Sequence, residues 1–137
     1  MKIAINRCYG GFSLSDEAVK YYLNLKGKEC HFYYQKAYND KTFYKTKSSL
    51  TCSWNNCFTK DFGEECTLSS DDWKNYHFYC RDIERNDPDL IKTIEHLGEK
   101  ANGECAELEI REIPDDVLWE IDEYDGVESI HEQHRSW

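Results

Sequence analysis

At 137 residues the chain has the size of one folded domain, and 39% hydrophobic with 15% aromatic residues is enough apolar material to bury a core, which excludes a disordered polymer. The net charge is −10 and unevenly spread: residues 1–80 hold 11 basic and 9 acidic side chains, whereas residues 81–137 hold 6 and 18. Such a chain repels nucleic acid polymers, whose capture needs Lys and Arg against phosphate, so the acidic half is either a solvated face or an imitation of nucleic acid toward a basic protein.

The first segment, Lys2 to Cys8, alternates as a strand, with Ile3, Ile5 and Arg7 on one face and Ala4, Asn6 and Cys8 on the other. Met1 to Arg7 lacks the long apolar core of a signal peptide, and no run approaches about 18 consecutive apolar residues, so neither export nor a membrane span is expected and the cytosol is the expected location. Gly10-Gly11 breaks the strand. Ser13 or Ser15 suits the N-cap of a following helix, Asp16 and Glu17 its first turn, Ala18, Val19, Tyr22 and Leu23 its apolar stripe, and Gly27 its end. Residues 28–80 are rich in Tyr, Phe, Lys and Cys, and their aromatic runs predict several short antiparallel strands. A second helix is predicted from Asp87 as N-cap, Pro88 at its first position and Leu90, Ile91, Ile94 and Leu97 at helical spacing, stopped by Gly98 or Gly103. Glu104 to Ile110 alternates as a half-buried strand, Pro114-Asp115-Asp116 turns, Trp119 to Ile121 is a short strand and Asp125-Gly126 a turn. The expectation is an α+β fold, an antiparallel sheet with two main helices, forming one ligand-binding domain over residues 1–137 with a Tyr- and Cys-rich variable β region at 28–80.

No residue set spells out a catalyst, and the chain is read as a binding protein with no cofactor and no catalytic residues. Cys52, Cys57, Cys66 and Cys80 superficially resemble a zinc cluster, but only the first two approach the tight pair spacing of structural zinc sites. Reduced, buried thiols are the plainer reading of all seven cysteines, and no metal is expected. No His is fixed beside a thiol by sequence proximity, and with 27 acids some carboxylate pair always looks suitable for glycoside chemistry. Gly10-Gly11 lacks the full phosphate-loop signatures, so it reads equally as a tight turn or as a backbone N–H surface for a small phosphate. Arginine is scarce. Arg85 precedes the second helix, and Arg135 lies between His134 and Trp137, a combination that could stack on a purine and grip phosphate; pairing with the abundant acids is the plainer role for any one Arg.

Three stretches together resemble the phage Thoeris anti-defence family, first member: Ile5 to Ser15 (Ile5-Asn6-Arg7-Cys8-Tyr9-Gly10-Gly11-Phe12-Ser13-Leu14-Ser15), Arg85 to Ile91, and Ile113 to Gly126 together with Glu132 to Trp137. The resemblance covers roughly residues 1–27 and 81–137 and is looser in between. It implies a sponge in the cytoplasm of the infected bacterial host. Such a protein binds and sequesters a cyclic nucleotide immune signal (glycocyclic ADP-ribose, with cyclic oligonucleotides as further ligands) and does not degrade it. It also implies a homo-oligomer, a dimer or larger. On the matching motifs, the implied pocket residues are Asn6, Tyr9, Phe12, Ser13, Arg85, His134, Arg135 and Trp137. Chemistry then assigns adenine stacking to Tyr9, Phe12 or Trp137, the pyrophosphate to Arg85 and Arg135, and phosphate or ribose to Ser13 and the first helix N-terminus. The alternative is an acidic nucleic-acid mimic that inhibits a basic host protein.

Overall fold

The structure, a computed structural model, describes residues 1–9, 11–36, 41–46, 56–103 and 106–132. Its class is the expected one, mixed α+β with antiparallel sheets. The chain divides into two compact units, one made of residues 1–18 and 81–137 and the other of residues 19–80. Among the described residues the strands form three antiparallel sheets, where one was expected.

In the first unit, β1 (Lys2–Asn6) pairs with β7 (Leu108–Glu112) from Lys2↔Glu112 to Asn6↔Leu108. After Lys2 every residue of β1 is buried, so both faces of the strand are covered, not one as in a surface sheet. The other edge of β1 is closed without a strand. The Ala4 N–H donates to the Arg85 carbonyl at 2.8 Å, and the Asn6 N–H donates to the Glu128 carboxylate at 2.8 Å. A buried edge amide needs such an acceptor, and here one comes from a turn and one from a side chain. Helix α3 (Pro88–Leu97) packs on β1 and β7. It begins as its sequence predicts: the Asp87 side chain accepts from the Asp89 N–H at 2.8 Å, Pro88 fills the first turn, and Leu90, Ile91 and Ile94 are buried. Gly98 ends it with φ +59°, and residues Gly98–Ala101 continue as a 3-10 turn.

The strand expected over 104–110 begins later, at Leu108; Glu104 and Cys105 lie outside the described residues. Just upstream of β7 the Ala106 N–H turns back to the Gly103 carbonyl and the Glu107 N–H goes to Asn6 Oδ1, so this stretch is a turn pinned to β1. Strand β8 (Trp119–Tyr124) is longer than expected and pairs with β9 (Val127–Glu132) in full register, with β9 lying beside β1. Asp125 and Gly126 both have positive φ, 49° and 90°, as a two-residue type I′ hairpin turn requires.

Helix α1 (Asp16–Leu25) is capped by Ser15, whose Oγ accepts from the Ala18 N–H at 3.1 Å. It closes in a Schellman motif: the Lys28 N–H reaches the Leu23 carbonyl and the Gly27 N–H the Asn24 carbonyl, with Gly27 at φ +71°. The boundary between the two units falls within this helix.

The second unit holds a five-stranded sheet in the order β5-β3-β2-β4-β6, formed by Glu65–Thr67, Thr42–Thr46, His31–Tyr34, Asn56–Phe58 and His77–Phe78 respectively. Its core is aromatic. Tyr33, Phe43 and Phe58 are buried, with Phe62, Trp73 and Tyr76 packed on them mostly edge to face. The sequence reading expected only strands here, yet Ser70–Tyr76 forms a helix, α2. Ser69 and Asp72 close a reciprocal capping box, and Trp73 and Tyr76, three residues apart, reach the same core. The Tyr33 hydroxyl fastens the loop after β4, accepting from the Phe62 N–H at 2.8 Å and donating to the Gly63 carbonyl at 2.9 Å. Among the described residues no helix is long and apolar enough to cross a membrane.

Candidate functional site

Of the motif residues that the structure describes, Asn6, Phe12 and Arg85 meet in the first unit at one ion pair between the half-buried Arg85 and the buried Glu128. The Glu128 carboxylate, 4% exposed as a residue, accepts from both ends of the Arg85 guanidinium, Nη1 to Oε1 at 2.5 Å and Nη2 to Oε2 at 2.9 Å. Oε1 also takes the Asn6 backbone N–H. The guanidinium carbon lies 3.7 Å from the centre of the Phe12 ring, which is itself buried. Two guanidinium nitrogens and a backbone amide thus surround one carboxylate, while an aromatic face covers the guanidinium, which is how a charge can be held away from water.

Asn6 is fully buried, and both ends of its amide are used. Its Nδ2 donates to the carbonyls of Cys8 and Gly126, each at 2.7 Å, and its Oδ1 accepts from the N–H groups of Glu107 and Cys8. One side chain therefore ties the end of β1 to the hairpin turn and to the approach of β7. Ser13 sits where only glycine can face it: a Cβ on Gly103 would fall 2.2 Å from Ser13 Oγ, and the Gly103 N–H donates to the Ser13 carbonyl. The helix cap is Ser15, two residues on.

Out of this frame stands Tyr9, 75% exposed. Its backbone runs against Gly126, where an added Cβ would meet Tyr9 O at 2.8 Å and Gly11 N at 2.5 Å. Arg7 is also exposed and is braced by its own hydrogen bond, Nη1 to the Glu128 carbonyl at 2.6 Å. Three sequence-predicted residues, Asn6, Phe12 and Arg85, are parts of the frame. Tyr9 is the one whose ring faces solvent. His134, Arg135 and Trp137 lie outside the described residues, as does Gly10.

The sequence reading did not single out Glu128 or Arg7 as site residues. Glu128 is one of 27 acids, and nothing local marks it; its place two residues after a type I′ turn is the one clue. Arg7 carried a clearer signal, since it lies within the first motif, two residues from Tyr9 in sequence.

Of the four cysteines with zinc-like spacing, Cys52 lies outside the described residues. Cys57 on β4 and Cys66 on β5 are separated by β2 and β3, three strand spacings or about 14 Å. Among the described residues no group of three or more His, Cys, Asp or Glu side chains is arranged to hold a metal ion.

The chain matches no protein-family model, no curated protein and no solved structure.

Proposed function

We propose that the first unit binds a small phosphorylated purine, in the family it resembles a cyclic nucleotide immune signal such as glycocyclic ADP-ribose, and holds it unreacted. The observation that carries the reading is the exposure of Tyr9 on a loop whose flanks are clamped by Asn6, Gly126 and the Arg85–Glu128 pair. A loop whose backbone is already held loses less freedom when a base stacks on its exposed ring, and stacking is worth about 1–3 kcal/mol per base. In this reading Arg85 is a positioning residue, because its fork is occupied by Glu128. Phosphate recognition falls to the exposed Arg7, two residues from Tyr9 in sequence, and to Arg135 from the terminal segment. A ligand with two negative charges approaching a chain of net charge −10 needs that local positive charge. Sequestration at sub-micromolar signal requires more than about 8 kcal/mol of binding free energy, so several such contacts must act together, including contacts from other subunits of a homo-oligomer.

The test is calorimetry with glycocyclic ADP-ribose, followed by heat denaturation of the complex. The expected result is stoichiometric binding, return of intact ligand and a native mass above that of one chain. Ligand returned as hydrolysis products would identify an enzyme instead.

A second reading has its own support. On the β8–β9 hairpin, Glu120, Asp122, Glu123 and Asp125 are exposed beside Tyr124, with Leu118 exposed just before β8. Carboxylates around apolar contacts suit a basic protein partner. Absence of heat with cyclic nucleotides, together with stoichiometric capture of a basic host protein that is lost on charge reversal at Glu120 and Asp122, would favour it.

A further inference from the structure

The second unit brings two cysteines together. Cys30 Sγ and Cys57 Sγ stand 3.4 Å apart, although 27 residues separate them in sequence. Sheet register explains the meeting. Cys57 on β4 is opposite Phe32 on β2, and Cys30 precedes Phe32 by two residues, so alternation carries both thiols to the same side of the sheet as diagonal neighbours. A disulfide needs about 2.05 Å, so the sulfurs must approach by about 1.4 Å, a distance within the sweep of two cysteine χ1 torsions.

Their exposure differs in a useful way. Cys30 is half-buried, just before β2, and Cys57 is buried at 6% exposure. Of the other described cysteines, Cys8 lies in the first unit just after β1, Cys66 stands on the edge strand β5, where burial pushes its thiol up, and Cys80 starts a 3-10 turn.

We infer that Cys30 and Cys57 form a reversible dithiol–disulfide site, with Cys30 as the attacking thiol, Cys57 as the resolving thiol and a low-molecular-weight disulfide such as glutathione disulfide as the oxidant. The Cys30 thiolate attacks one sulfur of glutathione disulfide, forming a mixed disulfide and releasing one glutathione thiolate. The Cys57 thiolate then attacks Cys30 Sγ, forms the internal bond and expels the second glutathione. Two protein thiols are oxidised, one glutathione disulfide is reduced to two glutathione molecules, and the two protons leave with them. Closure ties β2 covalently to β4 at the centre of the five-stranded sheet and closes a ring around all of β3.

The experiment is incubation of the full chain, cleared of metal by a chelator, with a glutathione redox series, followed by alkylation and mass spectrometry. Closure removes about 2 Da and two alkylatable thiols, and thioredoxin or dithiothreitol restores both. Trypsin should release residues 29–36 linked to residues 48–60. Because residues 48–60 also contain Cys52, the mapping is repeated in C52S, where the link must persist. Cys57→Ser should trap glutathione on Cys30 as a mixed disulfide, and Cys30→Ser, at the half-buried position, should remain fully alkylatable at Cys57 after unfolding. Linkage of Cys30 to Cys52 or Cys80, no link in C52S, or stoichiometric zinc in the untreated protein that C30S and C57S both lose, would each overturn the proposal.

Discussion

Arg85 and Glu128 meet edge to edge, the two Nη nitrogens each on one carboxylate oxygen, and the same guanidinium has its Cζ 3.7 Å from the centre of the Phe12 ring. The pair joins the segment before α3 to β9, while Asn6 donates its backbone N–H to the same carboxylate. Removing Arg85 leaves the buried Glu128 charge unpaired, which costs about 3–5 kcal/mol in comparable sites, whereas removing Glu128 leaves the half-buried Arg85 unpaired at a smaller cost. Arg85→Met should therefore destabilise strongly and Glu128→Gln less. In E128Q an oxygen remains to accept the Asn6 N–H, so the double variant R85M/E128Q should be less destabilised than the sum of the two singles. Chemical denaturation of the four proteins measures this; a coupling below about 0.5 kcal/mol would mean the pair acts through packing alone.

Tyr9 and Phe12 separate binding from folding. Tyr9 is mostly exposed, so Tyr9→Ala should change stability by no more than about 0.5 kcal/mol. Its loss should still weaken a stacked purine by about 1–3 kcal/mol, roughly five- to 150-fold in dissociation constant. Phe12→Ala should do the reverse first: it empties a buried ring position under Arg85 and should lower stability by about 3–5 kcal/mol. Paired calorimetry and denaturation distinguish the two. Equal affinity in Y9A and the parent would remove Tyr9 from the site.

Much of the first unit was legible because its signals are local. Asp87, Pro88, the apolar spacing after it and Gly98 define α3 within a dozen residues, and Asp125-Gly126 defines its hairpin by backbone conformation alone. Ser15 and Gly27 delimit α1 in the same way. Helix α2 failed for a local reason as well. Trp73, Tyr76, Phe78 and Tyr79 resemble a strand in composition, and that outweighed the Ser69–Asp72 capping box, a readable start signal. The site was only half legible. Motif residues could be named, but Arg85's partner is 43 residues away in sequence, and only tertiary contact selects Glu128 among so many acids. Arg85 and Asn6, named from the motifs as pocket residues, make hydrogen bonds to partners far away in sequence that only the fold brings to them.

In the second unit a pH dependence follows from Asp61. Its carboxylate accepts from Lys45 Nζ at 2.8 Å and from the Gly63 N–H at 2.9 Å, and these, Lys45 first, lower it from 3.8 to about 2. A folded-state value below the unfolded one stabilises the fold above the unfolded value, and the gain disappears as pH falls from 3.8 through about 2. Asp61→Asn should thus lower the unfolding midpoint at about pH 6, with the gap to the parent narrowing as pH falls from 3.8 and closing below about pH 2, where protonation removes the same interaction. Asp72, held low chiefly by the Ser69 N–H, weakens over the same acidic range in both proteins and cancels in the difference. A gap between parent and D61N that stays constant down to the acid limit would show that the Lys45 contact contributes nothing.

Gly126, the hairpin's one glycine, should tolerate substitution poorly for two separable reasons. Its φ of +90° strains any L side chain, and a Cβ there would come within 2.5 Å of the Gly11 N and 2.8 Å of the Tyr9 carbonyl, both backbone atoms that cannot swing aside. Gly27 supplies the control, since its φ is +71° but nothing lies within 4 Å of an added Cβ. Gly27→Ala should cost only the left-handed backbone penalty, about 1–2 kcal/mol. Gly126→Ala should cost more and should also displace the Tyr9 loop, so it should lose ligand affinity while G27A keeps it. Denaturation midpoints and calorimetry on the two variants test this directly. If G126A binds a purine ligand as tightly as the parent, the hairpin turn does not set the position of Tyr9, and the rigid frame around that ring has to be assigned to Asn6 and the Arg85–Glu128 pair alone.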